Sequence, residues 1–214
     1  MKQLLLAASA LFGLVATAQA GVISIAAEDD GVGVLLLCAG GVNAPITCSG
    51  GSTHFATINI AAVGAPPLAG ASLSSVTIDA TAAVSGPHVL DVNVLQSGLN
   101  VAADTATSTF TANHLVGGPF GPTTMSTLVN GLALASFTFP ASTINDTKAF
   151  TDALPALVTS DEHRYSITFT QAGQAATDTI QLITGVPEPV SIALLGTGLL
   201  GLGLVGRRGR QTEV

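Results

Sequence analysis

The amino-acid sequence predicts an all-β fold, an antiparallel β-sandwich of about eight strands that lies between a secretory signal peptide and a transmembrane helix. Apolar and polar residues alternate with period two in short segments of the middle of the chain, and turns rich in Gly and Pro separate these segments. Only 4% of the residues are aromatic and 9% are charged, and there is no Trp. This composition is typical of smooth, Thr-rich sheet surfaces and not of a deep aromatic cleft.

The N-terminal residues 1–20 are predicted to be a signal peptide. One Lys precedes a short apolar stretch, and small residues follow at Ala18 and Ala20, immediately before Gly21. A positive charge, an apolar stretch and a small-x-small site are the three parts of a secretory signal. We expect cleavage after Ala20, so that the mature chain begins at Gly21.

Residues 21–183 are predicted to form the exported sandwich domain. The run 34–38 is continuously apolar, and we expect it to be a strand buried on both faces. The other strand candidates alternate, with Thr, Ser, Asp and Asn expected to face water. These segments are 57–60, 75–79, 89–95, 107–111, 136–139, 165–170 and 177–183.

Helical periodicity in the domain is weak. Phe150, Leu154 and Leu157 would share one face of a helix, but Pro155 interrupts the segment. One short helix is the most that this pattern allows.

The two cysteines, Cys38 and Cys48, are predicted to form a disulfide. They are the only cysteines of the chain, and an isolated pair in an exported domain is usually oxidised. A zinc site would need more ligands at closer spacing. The disulfide should stabilise the domain by roughly 2–3 kcal/mol, mainly by restricting the unfolded chain.

The C-terminal segment predicts a membrane anchor. A linker, 184–189, precedes the uncharged apolar run 190–206, which as a helix would be roughly 25 Å long and therefore sits at the short end of the spanning range. The tail 207–214 opens with Arg207 and Arg208, so the positive-inside rule places it in the cytoplasm and the domain outside. The alternative is a buried core helix with a basic end, although core helices are rarely apolar all round.

The order of these C-terminal elements resembles the PEP-CTERM sorting signal of Gram-negative bacteria. The matching residues are Pro187, Glu188 and Pro189, the apolar span, and the pair Arg207 and Arg208, about 29 residues in all. The resemblance implies that an exosortase-type membrane peptidase reads the tripeptide. It also implies an inner-membrane precursor that passes to the cell surface or extracellular matrix, in association with exopolysaccharide and biofilm. The two prolines fit this role, since they keep the segment extended and accessible.

The charge of the predicted domain excludes one class of partner. Between residues 21 and 186 there are eleven acidic residues against two basic ones, a net charge of −9. A nucleic-acid-binding surface needs basic groups that neutralise phosphates, so we expect no nucleic acid partner. An anionic membrane surface is disfavoured for the same reason.

Catalytic motifs are absent from the sequence. No H-E-x-x-H, G-x-S-x-G or P-loop pattern occurs, so we predict no catalytic residue, no resident metal and no cofactor. The densest charge cluster is Asp161, Glu162 and His163, followed by Arg164. It could be an acid–base pair or part of a metal site, and the preferred interpretation is a solvated turn before the next strand.

A second acidic segment, Glu28-Asp29-Asp30, precedes Gly31. Carboxylates suit calcium, but the spaced ligands and closing Glu of an EF-hand are missing. A surface turn is the preferred interpretation, and calcium binding is a hypothesis. None of the four histidines stands at a zinc-peptidase spacing; they are His54, His88, His114 and His163.

Three functions are compatible with the sequence. The leading one is a non-enzymatic surface or matrix protein that is sorted through its C-terminal signal. The alternative is a carbohydrate-binding module, against which stands the scarcity of aromatic residues for stacking on sugar rings. A secreted hydrolase is the third, and it would require Asp161, Glu162 and His163 to meet a second carboxylate in a concave site.

Overall fold

The computed structural model describes residues 21–185, apart from gaps at 31–33, 42–43, 65–71, 142–144 and 156. All regular secondary structure in these residues is β-strand. The twelve strands are β1 (Val22–Asp29), β2 (Val34–Gly41), β3 (Ile46–Gly50), β4 (Phe55–Gly64), β5 (Ser72–Ala82), β6 (His88–Val101), β7 (Thr105–Val116), β8 (Thr123–Val129), β9 (Leu132–Phe139), β10 (Asn145–Ala153), β11 (Val158–Phe169) and β12 (Ala175–Gly185).

The strands form two six-stranded sheets in which every neighbouring pair is antiparallel. Sheet A has the order β2-β1-β6-β11-β8-β9, and sheet B has the order β10-β7-β12-β5-β4-β3. The predicted all-β antiparallel sandwich is therefore confirmed, with twelve strands in place of about eight. The four strands without a sequence prediction are β1, β3, β8 and β10. They are rich in Ala, Thr or exposed residues, so their alternation in hydropathy has little contrast.

The core lies between the two sheets and is made by every second residue of each strand. Four phenylalanines are fully buried there, Phe55, Phe110, Phe139 and Phe169. Isoleucines are frequent among the other large buried side chains, while the outward positions carry mainly Thr, Ser and Ala. The polar outer faces match the Thr-rich surfaces expected from composition.

Tyr165 ties the two sheets together across the core. Its ring projects from β11 of sheet A, and its hydroxyl donates a hydrogen bond to the Val76 carbonyl at 2.7 Å and accepts one from the Ile180 amide at 2.8 Å. Val76 and Ile180 are register partners on β5 and β12 of sheet B. Burial, the largest effect, raises the pKa of Tyr165 well above its ordinary value, so the hydroxyl stays protonated and can donate.

The substitution Tyr165→Phe is expected to destabilise the fold by about 1–3 kcal/mol. It keeps the packed ring but leaves a buried carbonyl and a buried amide without the hydroxyl between them. Equilibrium urea unfolding of the full-length chain measures the change. An unfolding midpoint equal to that of the wild type would contradict this account of the hydroxyl.

The predicted disulfide between Cys38 and Cys48 is formed, with the two Cα atoms 6.0 Å apart. Cys38 lies on β2, at one edge of sheet A, and Cys48 lies on β3, at one edge of sheet B. The bond therefore closes one side of the sandwich by joining its two sheets.

Two local predictions were wrong. The apolar run 34–38 is an edge strand and is not buried on both faces, since Leu37 is 76% exposed. The segment around Phe150 is strand β10 and not a short helix, because it extends sheet B by pairing with β7 along its own whole length. Phe150 alternates with exposed threonines there and packs near Phe110 and Phe137.

A two-residue hairpin turn, Asn130-Gly131, joins β8 to β9. Both residues have positive φ, 51° for Asn130 and 76° for Gly131, a combination that Asn-Gly adopts readily. The Asn130 side chain also accepts hydrogen bonds from the Thr159 and Ser160 amides and donates one to the Leu157 carbonyl. The turn thus fixes the start of β11 next to β8.

The predicted signal peptide, membrane span and basic tail lie outside the described residues. Strand β1 begins at Val22, one residue beyond the expected start of the mature chain. Strand β12 ends at Gly185, so Thr184 and Gly185 belong to the sandwich and not to the predicted linker. Within the described part of the chain, no helix is long and apolar enough to cross a membrane.

Candidate functional site

A groove of about 440 Å³, lined mostly by polar residues, crosses the outer face of sheet A. Its floor is formed by the four neighbouring strands β1, β6, β11 and β8. Strands in a sheet are spaced by about 4.8 Å, so the groove extends roughly 14 Å across them. An open, elongated depression of this kind suits a segment of an extended ligand better than a compact molecule.

The strand register arranges the lining side chains in two rows across the sheet. Partners in register on neighbouring strands place their outward side chains side by side, and the next row lies two residues along each strand. One row is Ala26, Asn93, Arg164 and Ser126, and the other is Glu28, Asp91, Ser166 and Thr124.

A charged network joins two side chains that line the groove, Asn93 and Arg164, to Glu162 on the outward face of β11. The Glu162 Oε1 atom accepts hydrogen bonds from Asn93 Nδ2 and from Arg164 Nε, both at 2.6 Å. Burial acts to raise the pKa of Glu162, but these hydrogen bonds and the charge of Arg164 hold it below its ordinary value. Glu162 is therefore ionised at neutral pH and fixes the orientation of both neighbours, whose remaining N–H groups can bond to a ligand.

Two carboxylates face each other at one end of the groove. Glu28 on β1 and Asp91 on β6 are register partners on the same outward face. Like charges directly opposite each other weaken strand pairing. A ligand that donates hydrogen bonds to these oxygens would offset that repulsion.

The structure divides the predicted charge cluster. Asp161, Glu162 and His163 lie within strand β11, so the preferred interpretation of a solvated turn was wrong. Alternation places Glu162 on the outer face of sheet A, beside the groove, whereas Asp161 and His163 are about 1% exposed and point between the sheets. The three side chains therefore do not meet in one concave site.

Asp161 and His163 instead converge on Ser74 of β5. The Ser74 Oγ atom lies 2.5 Å from Asp161 Oδ2 and 2.6 Å from His163 Nε2. In a catalytic triad the carboxylate orients the opposite ring nitrogen. Here His163 Nδ1 has no hydrogen-bond partner in the described structure, and the carboxylate lies 3.3 Å from Nε2. The three residues form a buried polar contact between the sheets, not a triad.

The acidic segment that prompted the calcium hypothesis is divided as well. Glu28 lines the groove, Asp29 is mostly buried at the end of β1, and Asp30 follows in the turn. Asp29 and Asp30 contact His54 and His88, a meeting that no local spacing in the sequence predicts. His114 lies elsewhere in the core, stacked on Phe120.

The proposed processing residues lie outside the described part of the chain. These are Ala18 and Ala20 at the signal cleavage site, and Pro187, Glu188, Pro189, Arg207 and Arg208 of the sorting signal. Gly21, where the described residues begin, is buried at the start of sheet A.

The groove as a unit was not predicted from the sequence. The segment 89–95, which includes Asn93, was predicted as an alternating strand, and Arg164 was noted as part of a charge cluster, but the two residues were not placed side by side. The available signal was limited to the strands β6 and β11, since β1 and β8 had no sequence prediction. Which strands are neighbours is set by tertiary pairing, as in the register of Asn93 with Arg164.

The chain matches no protein-family model and no curated protein sequence. Among solved structures it is similar to TmCBM61 in complex with β-1,4-galactotriose, at 10% identity and a TM-score of 0.38, covering 67% of this chain and 90% of that one. It is also similar to the family 11 carbohydrate-binding module of Clostridium thermocellum in complex with a β-1,3-1,4-mixed-linked tetrasaccharide, at 13% identity and a TM-score of 0.28, covering 77% and 98%. A third is the C-terminal CBM6 of LamC from Zobellia galactanivorans, at 14% identity and a TM-score of 0.29, covering 50% and 80%.

Proposed function

We propose that this protein is an exported surface protein whose sandwich domain binds a segment of a neutral polysaccharide in the groove of sheet A. The observation that carries the proposal is the double row of hydrogen-bonding side chains across four strands. Sugar hydroxyls donate and accept, so they need both kinds of partner. Carboxylates accept, a guanidinium donates, and amide and hydroxyl groups do both.

The charge of the groove favours a neutral chain over an acidic one. Glu28 and Asp91 line the groove, and Glu162 lies next to it, bonded to Asn93 and Arg164. These carboxylates contribute three negative charges, against the one positive charge of Arg164. Uronic acid or sulfated polymers would meet net repulsion. The groove also lacks an outward-facing aromatic ring among its lining residues, since Tyr165 points into the core. Recognition would therefore rest on hydrogen bonds and on a preorganised surface.

Export and sorting complete the proposal. The signal peptide delivers the domain to the outside, and the PEP-CTERM-like segment holds it at the inner membrane until an exosortase-type peptidase processes it. The domain then reaches the cell surface or matrix, where polysaccharide is present. This part rests on the sequence of the two termini.

Affinity electrophoresis tests the groove directly. The full-length chain, in mild detergent, is run through gels containing neutral polysaccharides of glucose, mannose or galactose. We expect at least one of them to retard it. Arg164→Ala should weaken this binding at least about tenfold, since it removes a charged hydrogen-bond donor.

Lys148→Ala is the matched control for Arg164→Ala. Lys148 is the other basic residue of the sandwich, and it lies on β10 of sheet B, paired with Asp146. The Lys148→Ala variant should be retarded by the polysaccharide as much as the wild type. Equal loss in both variants, or stronger retardation by an acidic polymer such as alginate than by any neutral one, would contradict the proposed groove.

A further inference from the structure

Two aspartates and two histidines meet at one end of the sandwich. Asp29 ends β1 and Asp30 follows it, His54 lies in the turn before β4, and His88 begins β6. Three separate segments of the chain therefore bring imidazole and carboxylate groups to one place. None of these four side chains lines the groove of sheet A, whereas the neighbouring Glu28 does.

The donor atoms lie at the distances that a small metal ion requires. His54 Nδ1 is 3.2 Å and His88 Nδ1 is 2.9 Å from the same atom, Asp30 Oδ2. Ligand atoms of Asp30, His54 and His88 all lie within 4.8 Å of one another. In a tetrahedral zinc site, bonds of 2.0–2.2 Å place neighbouring ligand atoms about 3.3 Å apart. An ion could enter with only small movements of these three side chains.

The surrounding contacts hold the ligands in position. Asp30 Oδ1 accepts a hydrogen bond from the Val89 amide at 2.6 Å, which leaves Oδ2 directed at the two rings. The Asp30 backbone has a φ of 50° and its amide donates to the Val89 carbonyl at 2.8 Å. A non-glycine residue rarely adopts this conformation unless the surroundings fix it. Such support of a ligating carboxylate from outside the ligand set is a regular feature of metal sites.

The two imidazole rings are stacked, with centroids 3.9 Å apart and planes 14° from parallel. Both Nδ1 atoms face Asp30. The His54 Nδ1 atom also lies 2.8 Å from Asp29 Oδ1. Asp29 and Asp30 together supply two negative charges, which balance a divalent cation. The His54 side chain is 31% exposed, so a water molecule can complete the coordination.

The donor set selects the kind of ion. Calcium takes six to eight oxygen ligands, whereas imidazole nitrogen suits zinc and related transition metals. Glu28 points away to the groove, so the three acidic residues in sequence do not surround one ion. We propose that Asp30, His54 and His88 form a binding site for one divalent transition-metal ion of the zinc class, with Asp29 balancing its charge.

Calorimetric titration with zinc chloride tests the site. The full-length chain is purified without a histidine tag, treated with a chelator and titrated in mild detergent. We expect one zinc ion to bind per chain, and calcium chloride at the same concentrations not to bind at these residues. Cobalt(II) should give a visible absorption band that zinc displaces.

Asp30→Asn is the most informative variant. Asparagine keeps the acceptor for the Val89 amide and tolerates positive φ, so the fold is retained, while the charged ligand is lost. Zinc affinity should fall at least about tenfold. His88→Gln should have a similar effect. Asp146→Asn should leave the zinc affinity unchanged, because Asp146 lies on β10 and pairs with Lys148.

Three results would overturn the site. They are the absence of zinc binding, zinc affinity that Asp30→Asn and His88→Gln leave unchanged, and calcium binding as tight as that of zinc. In each of these cases the cluster is a set of hydrogen bonds between His and Asp that closes the end of the sandwich. The outcome is independent of polysaccharide binding, which uses the outer face of sheet A.

Discussion

Replacing Pro187, Glu188 and Pro189 together with alanine is expected to leave the full-length chain unprocessed and retained in the inner membrane. The tripeptide lies between the sandwich and the apolar run 190–206, where two prolines keep the backbone extended. Alanines would remove the residues that the peptidase reads and would let helix extend toward the domain. Cell fractionation and the intact mass of the protein, measured in a host with an exosortase-type peptidase, report the result.

A triple substitution of similar size provides the control. Changing Gln211, Thr212 and Glu213 to alanine also removes one glutamate close to the membrane but leaves the tripeptide intact. This variant should be processed as the wild type is. A mature product of wild-type mass from the 187–189 variant would show that the resemblance to the sorting signal does not describe this chain.

The substitution Phe169→Ala is expected to destabilise the sandwich by about 3–5 kcal/mol. The Phe169 ring is fully buried, with centroids 5.2 Å from the rings of both Phe55 and Phe120. Removing it leaves a cavity between the sheets and breaks two aromatic contacts at once. Equilibrium denaturation in urea measures the loss as a lower midpoint at an unchanged slope.

Phe137→Ala is the matched control for Phe169→Ala. Phe137 is only partly buried, next to Phe139 and Phe150, at the edge of the sandwich formed by β9 and β10. Phe137→Ala should lower the free energy of unfolding by less than half as much as Phe169→Ala, because its site is open to water and no closed cavity remains. Equal losses from the two variants would contradict the assignment of the core to the space around Phe169.

The alternation of residues was enough to predict the class of fold and the faces of its strongest strands. Period-two patterns with Ile and Val against Thr and Asp, as in β4 and β5, leave little choice about which side faces the core. The pattern failed where the hydropathy of the two faces differs little, as in β8, which has Thr at buried positions and Thr and Ser at outward ones. It also failed in the edge strand β2, where the apolar residue Leu37 is exposed because its side chain lies on the outer face of the sheet.

The candidate groove depended on information that the sequence does not contain locally. Arg164 and Asn93 are 71 positions apart and become neighbours only through the pairing of β6 with β11. The adjacency of Asp161, Glu162 and His163 suggested a solvated turn, but a strand separates adjacent residues onto opposite faces. The cluster of Asp30, His54 and His88 has the same origin, since three turns and strand ends meet only after the sheets are packed.

Nuclear magnetic resonance of the full-length chain, titrated with neutral oligosaccharides of glucose, mannose and galactose, tests the central claim most directly. The account predicts that one of these ligands shifts the side-chain amide signal of Asn93 and the Nε signal of Arg164, while signals of Thr111 and Thr147 on the outer face of sheet B stay in place. Shifts confined to sheet B, or the absence of any shift across the panel, would contradict binding in the groove.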